Sequence, residues 1–274
     1  MTFDGSSAES RPSSTFRAPA QHAIREFLAG HRLRPARSAR ERALGRSPLG
    51  ESGAQWYWSA VGQLEVTSRL ENLGPEWTVV HGIGGPSMNI DHLVIGPAGV
   101  FAVCTHDHTK QNVWVSGRAF VADGHSLQYL RAAEEAIGYV ERTLEREAGV
   151  HIRASAVITV IDPGSLRVRD LPRDIFVIAA SSVTAWLRLR EPALGAETVS
   201  HLAAVARAEE TWSSEPRSVA DVESLQRERA EFDRVRHEVA TARGVRAAWA
   251  ISIVSLLVGM MLAVGLLQLV AAQG

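Results

Sequence analysis

A cysteine and two histidines alternate along one short stretch of the chain, and an aspartate precedes them. On a β-strand Cys104, His106 and His108 would share one face, because side chains two residues apart point the same way. Their thiolate and imidazole groups, with the carboxylate of Asp91, form a ligand set that suits zinc or another transition metal. The pattern predicts a divalent metal site. The alternative is a strand end with solvated histidines, where Cys104 is a small buried hydrophobe.

Two apolar segments must position these side chains. Residues 90–95 and 100–104 are apolar and rich in β-branched side chains, and Gly96, Pro97 and Gly99 separate them. This pattern predicts two buried antiparallel strands joined by a tight turn. Asp91 would then lie on the strand adjacent to Cys104.

Apolar periodicity places further elements on both sides of this hairpin. Helices are predicted over residues 20–30, 54–73, 124–147 and 197–209, and strands over residues 76–81, 113–116, 119–122, 154–161 and 175–179. Strands interleaved with helices predict an α/β domain with a mixed β-sheet flanked by helices.

Composition narrows the classes of function. The 274 residues are 46% hydrophobic, which is enough for one buried domain with accessory segments. The net charge of −1 gives no whole-protein argument for nucleic acid, and the single cysteine excludes an internal disulfide framework. The chain has no Gly-x-Ser-x-Gly, Walker or HExxH motif, so the sequence supports neither the hydrolases that use them nor nucleotide triphosphatases. Lys110 is the only lysine, which indicates a GC-rich bacterial genome.

The N-terminal region is basic and is predicted to be a disordered arm over residues 1–49. Its first 19 residues are rich in Ser, Thr and Pro, and the following arginines include Arg32, Arg34, Arg37 and Arg40. Arginines at this density favour binding to the phosphates of nucleic acid or of anionic lipid. The alternative is a solvated, flexible arm.

The C-terminal region differs from the rest of the chain. Residues 247–270 carry no charge, and about 20 such residues cross a bilayer core. Arg243 and Arg246 precede this stretch, which predicts a single-pass protein of the bacterial cytoplasmic membrane with its N-terminal domain in the cytoplasm and residues 271–274 as a short tail. Residues 213–246 are predicted to form a charged juxtamembrane helix. Its narrow apolar stripe would permit a coiled-coil homodimer through residues 218–243.

The central hairpin also carries a family resemblance. The order Asn-Ile-Asp-His-Leu-Val-Ile-Gly-Pro-x-Gly-Val-Phe from Asn89, after a helix with Gly62 and before Val113-Trp114-Val115, resembles the nuclease-related domain, NERD. The resemblance implies a PD-(D/E)xK nuclease-like, restriction-endonuclease-like fold over about residues 56–161. The whole domain is expected to span residues 50–212.

The resemblance also implies a set of catalytic positions. Active members of this fold hold a magnesium ion with two acidic side chains and use a lysine two residues past the second acid, often with a helical glutamate. When these catalytic positions are transferred to this sequence, Asp91 matches the first acid. Cys104 replaces the second acid, His106 replaces the lysine and Gln63 replaces the glutamate. Three of four groups have changed. The expectation is a catalytically degenerate module that binds nucleic acid or a protein partner at the cytoplasmic membrane face.

Two alternatives stay open. An active metal-dependent nuclease would need Glu65 or Asp107 to supply a carboxylate and Lys110 to replace the missing ammonium group. A coiled-coil membrane signalling or scaffold protein would need the juxtamembrane helix to assemble. Three further residues near the presumed groove, Arg131, His92 and Tyr129, have two interpretations. Each would either contact phosphate or be an ordinary polar residue on the surface of a strand or helix.

Overall fold

The computed structural model describes residues 18–84, 89–212 and 219–271. The chain forms two compact units. The first contains Trp58–Leu225, and the second combines Ile24–Tyr57 with Gln226–Gly274. The predicted disorder of residues 1–17 concerns residues outside the described ranges.

Seven α-helices and nine strands make up the described residues. The helices are α1 Gln21–Arg32, α2 Ala39–Ala43, α3 Glu51–Leu70, α4 Tyr129–Ala148, α5 Val183–Arg188, α6 Ala196–Arg207 and α7 Val219–Ala271. The strands are β1 Thr78–Gly84, β2 Asn89–Gly96, β3 Gly99–Asp107, β4 Asn112–Ser116, β5 Ala119–Ala122, β6 His125–Leu127, β7 Ala154–Ile161, β8 Ser165–Arg169 and β9 Ile175–Ala179. Short 3-10 helices occur at Ala180–Ser182 and Glu209–Thr211.

The first unit contains two mixed sheets rather than the single one expected. One has the strand order β1-β2-β3-β7-β9, with β7 parallel to both β3 and β9. The other has the order β6-β5-β4-β8, with β8 parallel to β4. The prediction of an α/β fold with mixed strands flanked by helices is confirmed.

The predicted hairpin is present as β2 and β3 and lies in the interior of the larger sheet. Its register runs from His92 opposite Val103 to Gly96 opposite Gly99. Side chains on one face pack against α4 and α6, and those on the other pack against α3 and α5. Burial on both faces explains why the two segments are almost continuously apolar.

Helix α4 begins later than predicted. Residues 125–127, expected to be helical, form β6 because they pair with β5 from Phe120 opposite Leu127 to Ala122 opposite His125. The predicted helix end at Gly149 is confirmed: this residue has a φ of 67° and donates its N–H to the carbonyl of Glu145. Left-handed backbone at this position favours glycine.

The helix predicted over residues 20–30 is present as α1, whereas the following residues up to 49 include α2 and are not the disordered arm that was predicted. Helix α1 buries Ile24, Phe27 and Leu28, and Ser38 begins α2 with a capping box to Glu41. Glutamates about 200 residues further along the chain hold this segment in place through the ion pairs Arg25–Glu228, Arg32–Glu231 and Arg37–Glu238. Three of the arginines in this segment are thus matched by glutamates on α7.

Helix α7 contains both the predicted juxtamembrane helix and the predicted span in one continuous run. Among the described residues, the helix that includes Val222–Leu262 is the one with a part long and apolar enough to cross a membrane, and its most apolar 18 residues have a mean hydropathy of 1.9. The apolar stripe before the span is buried within the same chain at Phe232, Val235 and Val239. The homodimer through residues 218–243 stays a prediction, and its expected seam is already covered.

Candidate functional site

Asp91 lies just beyond the last paired residue of the central hairpin. Its Oδ2 accepts a hydrogen bond of 2.6 Å from the backbone N–H of Thr105 on β3. The side chain of Thr105 is buried, and its hydroxyl accepts a hydrogen bond of 3.0 Å from Thr159 Oγ1 on β7. The carboxylate therefore satisfies a backbone donor that the strand ladder leaves open.

Burial controls the protonation of this site. It raises the pKa of Asp91 to about 7, against the opposing effect of the hydrogen bonds from Thr105. Burial and then the charge of Asp91 raise the pKa of the Cys104 thiol to about 12. At neutral pH Cys104 is a thiol and Asp91 is about half protonated. Neither side chain therefore offers a full negative charge to a cation.

The two histidines of the alternating stretch lie against an aromatic group. His106 stacks on Tyr129, with ring centroids 3.6 Å apart, and His108 Nδ1 lies 2.6 Å from Gln111 Oε1. Burial, followed by the charge of His108, lowers the pKa of His106 to about 3. His106 is consequently a neutral ring at physiological pH and supplies no charge in place of a lysine.

Helix α3 approaches the same sheet from the opposite face. A Cβ atom on Gly62 would lie 3.0 Å from Ile161 Cγ1 and 3.8 Å from Thr105 Cγ2, so glycine permits close packing there. Gln63 follows it, but its side-chain amide donates to Ser59 Oγ at 3.4 Å within the same helix. The amide that replaces the expected glutamate is therefore hydrogen-bonded locally.

A second pair of imidazoles is packed between β1 and β2. His81 and His92 are cross-strand neighbours, and their Nδ1 atoms lie 2.9 Å apart. Burial lowers the pKa of His81 to about 4, and burial followed by the charge of His81 lowers the pKa of His92. Both rings are neutral in the folded protein near pH 7.

The four predicted metal ligands are not brought together in the described residues. In the described parts of the chain, no group of three or more His, Cys, Asp or Glu side chains is placed to hold a metal ion. Strand alternation correctly gives Cys104, His106 and His108 one side, but His106 and His108 contact Tyr129 while Asp91 binds the backbone of Thr105. The donor set also does not fit magnesium, which prefers several charged or neutral oxygen ligands.

Of the three groups proposed as replacements for the lost catalytic residues, two are engaged in other contacts and the third is exposed in a turn. Glu65 forms an ion pair of 2.8 Å with Arg69 one helical turn away. Asp107 Oδ1 accepts hydrogen bonds from the backbone N–H and the hydroxyl of Thr109. Lys110 is exposed in a turn with a φ of 66°. These contacts give no support to a rebuilt catalytic centre.

The arginines predicted to bind nucleic acid do not share one unit. Arg32, Arg34, Arg37 and Arg40 belong to the second unit, and Arg131 belongs to the first. Arg32 and Arg37 form the ion pairs already described, and Arg131 pairs with Glu135 at 3.1 Å on α4. Their separation into two units removes the basis for treating them as one interface.

The outer face of the smaller sheet was not identified from the sequence. Val113 and Val115 are buried, so Trp114 between them points outward and is 45% exposed. In β8, Arg167 is the parallel partner of Trp114, and Arg169 follows two residues later. The alternation of Val-Trp-Val was the available signal, and it needed the undetected strand β8 to become informative.

The low pKa of His106 leads to a test of its environment. The folded state resists protonation of this ring, whereas the unfolded state takes up a proton near its ordinary pKa of 6.5. Stability is thus fully present above about pH 6.5 and is lost as the pH falls toward 3. His106→Phe keeps a ring against Tyr129 and should reduce the loss at about pH 5 by on the order of 2 kcal/mol.

Urea unfolding of the full chain in mild detergent, followed by tryptophan fluorescence from about pH 5 to pH 8, measures this effect. The exposed His125 provides the matched variant His125→Phe. Equal acid sensitivity of wild type and His106→Phe would show that His106 is solvated rather than buried beside Tyr129.

Comparison with known proteins gives one family match. The model of the family described as nuclease-related domain, NERD, matches residues 58–159. No curated protein and no solved structure matches the chain. The matched residues contain Gly62 and Gln63 of α3, the central hairpin with Asp91, and most of β7. Residues 58–159 therefore form a nuclease-related domain, and the apolar part of α7 fits a transmembrane helix.

Proposed function

We propose that this chain is a membrane-anchored nuclease-related module that binds single-stranded nucleic acid without cleaving it. The altered centre supports the absence of cleavage, because Asp91 retains a carboxylate but Cys104, His106 and Gln63 supply neither the charge nor the oxygen ligands of a magnesium site. The PD-(D/E)xK type of fold and the cytoplasmic orientation are parts of this proposal. Arg243 and Arg246 before the span support that orientation.

The observation that carries the proposal is the exposed Trp114 beside two arginines on the outer face of the smaller sheet. Trp114 and Arg167 are paired across parallel strands, so their side chains leave the sheet on the same face. Arg169 lies two residues further along β8 and points the same way. Arg167 and Arg169 are both exposed.

An aromatic ring flanked by guanidinium groups suits single-stranded nucleic acid. Each base offers a flat face for stacking, and this contact contributes about 1–3 kcal/mol per base. The arginines attract the phosphates and make the binding dependent on salt. The bases of a duplex are already stacked on one another, so an exposed ring on a sheet face favours a single strand, whose bases are free to stack on it.

The binding experiment compares variants of the full chain in mild detergent. Trp114→Ala is expected to weaken association with a fluorescent single-stranded oligonucleotide by about tenfold, through loss of one stacked base. Arg167→Ala should weaken it less and should reduce its dependence on salt. Arg131→Ala removes a paired surface arginine from the same unit and is the matched control. Unchanged affinity in Trp114→Ala contradicts the proposed surface.

The competing activity, metal-dependent cleavage, is tested separately. Single-stranded and duplex substrates are incubated with the full chain in magnesium or manganese, and no cleavage above the level of Asp91→Asn is expected. Cleavage that Asp91→Asn abolishes would overturn the claim of a degenerate centre while leaving the binding surface on β4 and β8 untouched.

A further inference from the structure

The second unit contains an open recess of about 1440 Å³ between residues 31–50 and α7. We call this feature the arginine recess. Five guanidinium groups line it together with three carboxylates: Arg32, Arg34, Arg37, Arg42, Arg46, Glu41, Glu231 and Glu238. The balance of these charges favours an anionic ligand.

The ion pairs leave part of this positive charge uncompensated. Glu231 pairs with Arg32, and Glu238 pairs with Arg37. Within the described residues, Arg34 and Arg42 have no carboxylate at ion-pair distance. Arg42 donates one N–H to the backbone carbonyl of Arg37. Its remaining donors and those of Arg34 are therefore available to a phosphate, which guanidinium groups match in geometry.

A histidine in the recess adds a second sign of a missing partner. His31 lines the recess and stacks on Phe27, with ring centroids 5.1 Å apart. Its Nδ1 is buried without a hydrogen-bond partner in the described residues. A buried polar atom of this kind is costly unless a ligand or water satisfies it.

Two contacts fix the position of the recess along the axis of α7, relative to the apolar part of that helix. Gly45, with a φ of 66°, packs so closely on α7 that a Cβ atom would lie 2.7 Å from the carbonyl oxygen of Ala242. Trp249 donates its indole N–H to the carbonyl of Ala43 at 2.9 Å. The end of α2 with Arg42 and the following segment with Arg46 are therefore attached to residues 242–249 of α7.

The rise per residue of an α-helix gives the distance between this attachment and the membrane. At about 1.5 Å per residue, Ala242 lies roughly 8 Å along the axis from the start of the uncharged stretch at residue 247. The headgroup layer of a bilayer extends about 5–7 Å beyond the hydrocarbon on each side. Trp249 lies where tryptophan prefers to sit, at the boundary between hydrocarbon and headgroups. The end of the arginine recess nearest Ala242, where Arg46 follows Gly45, thus faces the outer edge of the headgroup layer when the span is inserted.

We propose that the arginine recess binds the phosphate headgroup of an anionic phospholipid in the membrane that holds the span. The inference rests on the membrane anchor of the proposed function and is independent of the surface around Trp114. Nucleic acid is the less favoured ligand, because the described lining residues include no Phe, Tyr or Trp on which a base would stack.

The experiment measures lipid retention by the full chain. Detergent-purified protein is mixed with equal amounts of phosphatidylglycerol and phosphatidylcholine, and bound lipid is counted by native mass spectrometry. Wild type should retain phosphatidylglycerol in preference, and the double variant Arg34→Gln with Arg42→Gln should retain about tenfold less. Arg118→Gln with Arg131→Gln removes two exposed arginines from the first unit and should retain the wild-type amount.

Three results would overturn the inference. Equal retention of both lipids by wild type would do so without any variant, so the test does not depend on how the variants fold. Full retention by the Arg34 and Arg42 variant would also do so. Displacement of phosphatidylglycerol by a single-stranded oligonucleotide in the Trp114→Ala background would assign the recess to nucleic acid. Loss of oligonucleotide binding in the single variant Trp114→Ala would support the proposed function and would leave the lipid site unaffected.

Discussion

Asp91→Asn is expected to abolish a pH-dependent loss of stability. In the wild type, ionisation of Asp91 should lower the free energy of unfolding by about 3 kcal/mol between about pH 5 and pH 8. The folded state holds the carboxyl proton with a pKa of about 7, whereas the unfolded chain releases it near 3.8. The folded state therefore binds more protons in this range, and stability falls as the pH rises toward 7 and stops changing above it. Asparagine carries no charge and can still accept from Thr105 N–H.

Urea unfolding of the full chain in mild detergent, followed by tryptophan fluorescence at several pH values, gives the two stability curves. Asp170→Asn changes an exposed aspartate and should follow the wild type. A substitution that stabilises near pH 8 would also identify Asp91 as a strained carboxylate, the kind of residue kept for chemistry or inherited from it. If Asp91→Asn and wild type have parallel curves, the carboxylate is solvated and the buried site described above is incorrect.

Phe232→Ala is expected to destabilise the second unit by about 3–5 kcal/mol, the usual cost of truncating a buried phenylalanine. Phe232 is fully buried on α7, and its ring lies 5.7 Å from that of Phe27 and 5.5 Å from that of Tyr57. These three rings join α1, α3 and α7 within the unit. Their loss should release α1 while leaving the transmembrane part of α7 helical.

Hydrogen exchange of the full chain in detergent locates this effect. Amides of α1 should lose protection in Phe232→Ala, and those of the central hairpin should not. Arg234→Ala changes an exposed residue of α7 and is the matched control. A change of oligomeric mass with intact protection of α1 would instead support the coiled-coil homodimer and contradict the intramolecular role of Phe232.

Local patterns predicted the parts of the fold that local patterns determine. The β2–β3 hairpin follows from two apolar segments around Gly96 and Gly99, and the apolar part of α7 follows from its length without charge. Strand β8 was missed because it has only five residues and just two apolar side chains, Leu166 and the exposed Val168, although these alternate with polar residues. Order in residues 18–49 was missed because Arg32 and Arg37 find their glutamates about 200 residues away, at distances that no window detects.

The site was predicted in composition but not in geometry. Strand alternation correctly placed Cys104 and His106 on one side of β3. It did not reveal that Asp91 would take the N–H of Thr105, since that contact depends on where the ladder between β2 and β3 ends. It also did not reveal Tyr129, whose ring covers His106 because β6 delays the start of α4. Both outcomes arise from tertiary packing.

The contact between His81 and His92 restricts where their hydrogens are. Only one hydrogen fits between two Nδ1 atoms that lie 2.9 Å apart, so one ring must be the Nδ1–H tautomer and the other the Nε2–H tautomer. Neither ring can change its tautomer unless the other changes too. Nitrogen chemical shifts of these two imidazoles would therefore report as a single unit on whether β1 and β2 remain paired.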